Sequence, residues 1–242
     1  MTIQDQKTIG EYVAQDFRTA SVFSKYGIDF CCKGNRSIEE ACAKKDLDAT
    51  RIQNEIDKLL QTSTTGQIDF TSWPLDLLAD YIEKTHHRYV AEKSPILVAF
   101  LEKLCKVHGE SHPELFEITE LFKGCAQELG SHMQKEEQIL FPFIKQMVNS
   151  NISNQPLGQP GFGSVSNPIA MMKAEHEHEG ERLERISALT NTYTPPSDAC
   201  NTYKVTYAML QEFEKDLHTH IHLENNILFP QAIMMEAQME YV

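Results

Sequence analysis

The sequence predicts an all-α protein, a four-helix bundle preceded by a small helical domain. Two observations carry this prediction. Apolar residues recur every three or four positions in four long stretches, at about 74–105, 113–148, 167–190 and 201–240. A polar, threonine-rich segment separates these stretches from an N-terminal region with shorter helical patterns. Short helices followed by four long ones, joined in pairs, are typical of a bundle with an added module.

The N-terminal region, residues 1–61, reads as a small helical domain. Its first helical pattern, "TIGEYVAQDFRTASVFSKYG", ends at Gly27, which suits the residue that follows a helix. The next pattern begins at Ser37, and Glu40 three positions later predicts a capping box. A domain of this size has a marginal core, so we expect it to depend on a partner or a metal. Residues 62–73 are interpreted as a linker, and residues 74–242 as the bundle.

The overall charge restricts the classes of partner. The chain has 35 acidic and 22 basic residues and a net charge of −13, which argues against binding to nucleic acid. No apolar run is long enough for a membrane span, and the first residues lack the pattern of a secretory signal. We therefore expect a cytoplasmic protein. The six cysteines include no C-x-x-C pair, and reduced thiols are expected.

An eleven-residue pattern occurs twice in the bundle. "HMQKEEQILFP" at 132–142 and "HIHLENNILFP" at 220–230 both begin with His, have Glu at the fifth position and end in Ile-Leu-Phe-Pro. Each copy follows a helix that has a histidine at a comparable position, His86 in "YIEKTHHRYV" and His176 in "MKAEHEHEGE". The bundle is therefore interpreted as an internal duplication. Pro142 and Pro230, at the ends of the two copies, are expected to kink or end their helices.

Helical periodicity predicts which of these side chains face the core. His86 follows Leu78 and Ile82 on the apolar face of the first long helix, whereas His87 falls off that face. The same spacing turns three polar groups per half inward, namely His86, His132, Glu136, His176, His220 and Glu224. The remaining bundle histidines are expected at the surface: His87, His108, His112, His178, His218 and His222.

Four imidazoles and two carboxylates are costly to bury unless something satisfies them. A pair of cations does so, because the i and i+4 side chains of a His-x-x-x-Glu helix converge on one ion and each carboxylate can bridge two. Nitrogen and oxygen ligands suit iron or manganese, and iron is preferred here, although affinity alone does not exclude zinc or copper. A ferritin-like site would instead use Glu-x-x-His pairs. Glu128 and Glu175 are expected to contact the metal-binding side chains without binding the metal, or to line an access route to the site.

These motifs resemble the RIC family, the di-iron proteins that repair iron–sulfur clusters and contain a hemerythrin-like domain. The duplicated His-x-x-x-Glu with "ILFP" resembles that domain, and "FRTASVFSKYGIDFCCKGNRSIEEAC" resembles the family's small cysteine-containing domain. The resemblance implies two iron ions bound by the same six residues. It also implies a vicinal thiol pair at Cys31 and Cys32, which could bind iron or a partner or be ordinary reduced thiols. The chain departs from the family at Gly34-Asn35, where two glycines are usual.

The resemblance implies a stress-response protein that repairs clusters damaged by nitric oxide or peroxide, with iron donation as the leading mechanism. Its partners would be damaged or apo iron–sulfur proteins and a small ligand such as nitric oxide or oxygen. Reduction of nitric oxide at the di-iron centre, which would make the protein an enzyme, is one alternative. Reversible oxygen binding or sensing is another, and iron storage fits less well. A homodimer is left open.

Overall fold

A computed structural model describes residues 7–62 and 68–239. Over these residues the chain is helical and contains no strand, so the prediction of an all-α fold is confirmed. Eight helices follow one another, four short and four long. The predicted domain limits remain predictions, and residues 63–67 of the predicted linker lie outside the described residues.

Four short helices form the N-terminal module, and side chains cap three of them. Their bounds are α1 (Ile9–Gln15), α2 (Thr19–Lys25), α3 (Ile38–Ala43) and α4 (Ala49–Leu60). The predicted capping box of Ser37 and Glu40 forms at the start of α3. Gly27 follows α2 with a φ of 61°, a left-handed conformation that glycine adopts without steric cost.

The four long helices form the bundle. They are α5 (residues 75–108), α6 (114–153), α7 (Ser166–Leu189) and α8 (201–236). Neighbouring long helices pack as α5 with α6, α6 with α7, and α8 with α5. A 3-10 turn, Phe70–Ser72, precedes α5.

Three of the long helices contain one π-helical turn each. The turns are Glu83–His87 in α5, Glu136–Leu140 in α6 and Glu224–Leu228 in α8. Both helices with a repeat proline continue through it, because Pro142 and Pro230 lie just after the widened turns. A proline removes a backbone donor and crowds the carbonyl four residues earlier, so a locally wider turn relieves both problems.

Buried apolar side chains form two clusters along the bundle. One surrounds Leu97, Phe122 and Phe213 and extends into the small domain through residues such as Phe23, so the small domain and this half of the bundle share a core. The other contains side chains from the remaining half, for example Phe141. Between the clusters lies a layer of buried polar side chains, described below.

The small domain docks on α8 by close backbone approach. The side-chain amide of Asn226 donates to the carbonyls of Phe30 and Cys31. A Cβ added to Gly10 would lie 2.4 Å from Asn226 Oδ1, and one added to Gly34 would lie 2.4 Å from the Phe30 carbonyl oxygen. Glycine is thus required at both positions by space. At the departure from the family pattern, neither Gly34 nor the following asparagine has a positive φ.

Within the described ranges, no helix combines the length and apolar character needed to cross a membrane.

We predict opposite effects for alanine at two glycines. Gly34→Ala should destabilise the protein by about 1–3 kcal/mol, because its new methyl group meets a backbone oxygen that cannot move aside. Gly130→Ala is the matched control, because it lies inside α6 with no atom within 4 Å of the new Cβ. That variant should gain up to about 1 kcal/mol of helix propensity. Urea unfolding measures both, and a Gly34→Ala protein as stable as the parent would contradict this account of the close approach between Gly34 and Phe30.

Candidate metal centre

Two groups of buried side chains meet at the π turns. In each group the candidate ligand atoms all lie within 4.8 Å of one another, and every member is buried. The two carboxylates, Glu136 and Glu224, belong to both groups. The histidines differ: one group is His87, Glu136, His220 and Glu224, and the other is His132, Glu136, His176 and Glu224.

His87, rather than His86, belongs to the cluster. The prediction that His87 falls off the buried face is wrong, because its exposure is 2% and its Nε2 lies 3.4 Å from Glu136 Oε2. The cause is the π turn Glu83–His87, in which hydrogen bonds span five residues instead of four. The residue that continues the apolar face after Ile82 is consequently five positions on, not four.

His86 is buried beside the cluster without joining either group. Its Nδ1 lies 3.0 Å from Asp216 Oδ1, and its ring is stacked on His220 with centroids 5.7 Å apart. Three atoms here, His86 Nε2, Asp216 Oδ2 and His220 Nδ1, are buried without a hydrogen-bond partner. His86 therefore lies against a candidate ligand and outside both groups, and the ligand role predicted for it stays a prediction.

In the first group, His220 Nε2 lies 2.9 Å from Glu224 Oε1 and 3.2 Å from His87 Nε2. In the second, His176 Nε2 lies 3.0 Å from His132 Nε2 and 3.2 Å from Glu224 Oε2. All four histidines thus direct Nε2 at the shared carboxylates.

Three of these histidines are held at Nδ1 by a group outside the cluster. Glu137 Oε1 lies 2.8 Å from His87 Nδ1, Glu175 Oε2 lies 2.8 Å from His132 Nδ1, and Asn225 Oδ1 lies 3.0 Å from His176 Nδ1. Such contacts select the tautomer whose Nε2 is free to bind a metal. The sequence singled out Glu175 but not Glu137 or Asn225. Their shared position, immediately after the cluster glutamate in each repeat, is the signal that was available.

The donor set fits a pair of cations. Both carboxylate oxygens of Glu136 and Oε2 of Glu224 are buried, and the groups near them are histidines of the cluster itself. Burial acts to raise the pKa of the Glu224 carboxyl, but His220 and His176 outweigh it and hold that pKa well below its usual range. Two ionised, enclosed carboxylates facing imidazole nitrogens need positive charge between them. Oxygen and nitrogen donors in this ratio suit a first-row transition metal.

A cleft of about 150 Å³ reaches the second group from the surface. Its lining includes His132 and His176 and the charged side chains of Glu128, Lys135 and Glu175. Glu128 contacts none of the cluster histidines and instead lies 2.8 Å from Arg182 Nη2. Glu175 both lines the cleft and contacts His132.

Cys31 and Cys32 lie where the small domain meets the second group. The Cys32 thiol is 3.3 Å from the carbonyl oxygen of His176, and the two sulfurs are 3.7 Å apart. Asp29 Oδ1 accepts the backbone N–H of both cysteines. The hydrogen bond with the Cys32 thiol and then burial raise the pKa of Cys31 well above its usual range.

The other histidines are divided between interface and surface. His222 is buried, contrary to prediction, and its ring lies against Phe17 and Phe30 of the small domain. His218 is half-buried against Phe30, whereas His178 is exposed as predicted. At the far end of the bundle His108 contacts Cys200 and His112 contacts Asp198.

Comparison with known proteins agrees with this architecture. Residues 78–232 match the hemerythrin HHE cation binding domain, and residues 5–60 match ScdA_N, a domain of unknown function (DUF542). The chain is 38% identical over 236 residues to the iron-sulfur cluster repair protein YtfE of Escherichia coli O8 (strain IAI1) and of Shigella boydii serotype 4 (strain Sb227). Each alignment covers 98% of this chain and 100% of the relative. The chain therefore belongs to the hemerythrin HHE cation-binding family, in the two-domain form of the YtfE iron–sulfur cluster repair proteins.

Proposed function

We propose that this protein binds two iron ions and repairs damaged iron–sulfur clusters by donating iron to them. The observation that carries the proposal is the pair of four-ligand groups sharing Glu136 and Glu224, whose carboxylate oxygens lack other partners. His87 and His220 would hold one ion, and His132 and His176 the other. The relatives are named as cluster repair proteins, and the match spans both domains.

Iron would supply an exchangeable, redox-active cation whose coordination is not completed by protein side chains. The chain's own contribution is to hold three of the four imidazoles at Nδ1, to keep two carboxylates ionised in a buried layer, and to exclude most water. Four ligands per ion, two of them shared, leave room for an exchanging group.

The cleft favours movement of an ion. Its walls carry carboxylates from Glu128, Glu175 and Glu179, which are paired with the side chains of Arg182 and Lys135. Three carboxylates against two cations favour a cation in the cleft, whereas an apolar diatomic such as nitric oxide or oxygen gains nothing from this charge. Nitric oxide reduction and oxygen binding are therefore secondary proposals, which would be supported by catalytic consumption of nitric oxide or by a stable, reversible oxygen adduct.

The two adjacent histidines of α5 should differ in their effect on metal content. His87→Ala should lose at least one of two bound irons, because the first group would retain a single imidazole. His86→Phe should keep both, since a phenyl ring preserves the stack on His220. Iron analysis and Mössbauer spectroscopy of the two purified variants measure this. Loss of iron from His86→Phe with full retention in His87→Ala would contradict the assignment.

Metal loading should release protons. In the metal-free chain burial opposes charge on His87, but Glu136 and Glu224 outweigh it and raise its pKa to about 10. Burial is likewise outweighed at His132, where Glu136 and Glu224 raise the pKa to about 9. These protons stabilise the metal-free fold below about pH 6.5, and that contribution is lost as the pH rises through about 9 to 10.

At about pH 7.5 both imidazoles are protonated, and a metal can bind only after displacing the protons. We expect about two protons to be released per chain and the apparent affinity to rise with pH. Titration with ferrous iron in weakly buffered, anaerobic solution counts the protons. Loading without proton release, or tighter binding at lower pH, would contradict the charge state given to the cluster.

Iron donation is tested by following labelled metal. Protein loaded with ⁵⁷Fe is mixed with a client whose cluster has been destroyed by nitric oxide, in the presence of sulfide and a thiol. We expect ⁵⁷Fe in the rebuilt cluster by Mössbauer spectroscopy. Glu224→Gln should not support repair, because both groups lose a shared charged ligand. A cluster rebuilt only from unlabelled iron would rule out donation.

A further inference from the structure

The residue after the cluster glutamate contacts a histidine Nδ1 in both halves of the bundle, but it is a glutamate in one half and an asparagine in the other. In the first repeat Glu137 holds Nδ1 of His87, and in the second Asn225 holds Nδ1 of His176. The histidine in each case comes from the preceding helix of the same half. The duplicated positions therefore match in geometry, and the change from carboxylate to amide needs a separate explanation.

The explanation lies in what surrounds each side chain. Glu137 is 39% exposed, so its second oxygen can be solvated. Asn225 is 8% exposed, and its amide group donates to the carbonyl oxygen of Cys31 at 3.3 Å. An aspartate here would turn an oxygen towards that carbonyl, leaving two acceptors facing each other without a proton. An amide can accept from His176 with its oxygen and donate to Cys31 with its nitrogen, which a carboxylate cannot do.

A second contact joins the same cysteine segment to the helix that carries His176. The Cys32 thiol donates to the carbonyl oxygen of His176, and it occupies the space beside Gly180, one turn further along α7. A Cβ at Gly180 would lie 3.3 Å from the sulfur. Glycine inside a helix costs about 1 kcal/mol relative to alanine, so room for the thiol accounts for it.

We propose that Asn225 is a positioning residue that couples the Cys31–Cys32 segment to one of the two metal positions. It holds His176 in the tautomer with Nδ1 protonated and Nε2 free, and it ties this orientation to the backbone of the small domain. This inference rests on the proposed function, since it requires metal at the cluster. Its consequence is that displacement of the cysteine segment loosens the ion held by His132 and His176 and leaves the ion held by His87 and His220 in place.

One further feature favours exchange at that position, because the cleft opens on His132 and His176. A client or reagent that engages Cys32 would thus act on the ion that has a route out.

The test uses paired variants of the full chain. Asn225→Leu removes the support of His176, and we expect one of two ions to reach a ferrous chelator about 10-fold faster, with one Mössbauer doublet altered. Glu137→Leu is the matched control in the other repeat and should alter the other doublet. Asn225→Asp keeps the acceptor for His176 but loses the donor to Cys31.

Coupling is measured by adding a methyl group beside the Cys32 thiol. Gly180→Ala should speed release of one ion in the parent chain and have little further effect in Asn225→Asp, where the connection is already broken. Equal effects in both backgrounds would overturn the proposed coupling. Equal loss of both ions from Asn225→Leu, in step with a lower unfolding temperature, would reduce Asn225 to a structural role and overturn the proposal.

A readout without iron separates this inference from the proposed function. ¹⁵N NMR of the metal-free chain should give His176 as the Nδ1–H tautomer, and Asn225→Leu should lose that preference while His87 keeps its own state. An unchanged His176 tautomer in Asn225→Leu would overturn the positioning role whatever metal the protein binds. If the parent chain binds no iron, but Asn225→Leu still changes the His176 tautomer, the proposed function fails and the positioning contact stands.

Discussion

One buried polar layer constrains the whole bundle. Four imidazoles and two carboxylates lie between two apolar clusters, and each ionised carboxylate is enclosed on all sides. Such a layer is tolerable only if charges of opposite sign fill it. The layer therefore fixes the relative positions of the helices that contribute to it, and a cation pair would join all four long helices at one level.

Duplication and docking together explain the asymmetry of that layer. The two repeats place equivalent side chains around a shared pair of carboxylates, which is the simplest way to surround two ions. The small domain, however, makes its hydrogen bonds with Asn225 and Asn226 of the second repeat. The second half has a buried amide, Asn225, where the first half has an exposed carboxylate, Glu137, because Asn225 must satisfy a backbone carbonyl as well as a histidine.

Much of the fold could be predicted from sequence because amphipathic periodicity and capping residues are local signals. The four long helices, the capping box at Ser37 and the helix end at Gly27 all depend on such signals. Sequence periodicity turns His86 inward and His87 outward, because extrapolation at 3.6 residues per turn assumes uniform winding. The π turn in α5 breaks that assumption. His222 was missed because its partners belong to another domain, and the amide of Asn225 has meaning only once the Cys31 carbonyl is known to face it.

The π turns make the length of the chain part of the site. A helix with one widened turn carries one residue more than ordinary winding would need to reach the same level. Removing Lys84 or Thr85 would return α5 to regular winding, keep its two flanks in register and leave His87 four positions after Ile82. The effect of the extra residue is therefore confined to the turn that presents His87, and the number of residues in that turn is part of what shapes the ligand layer.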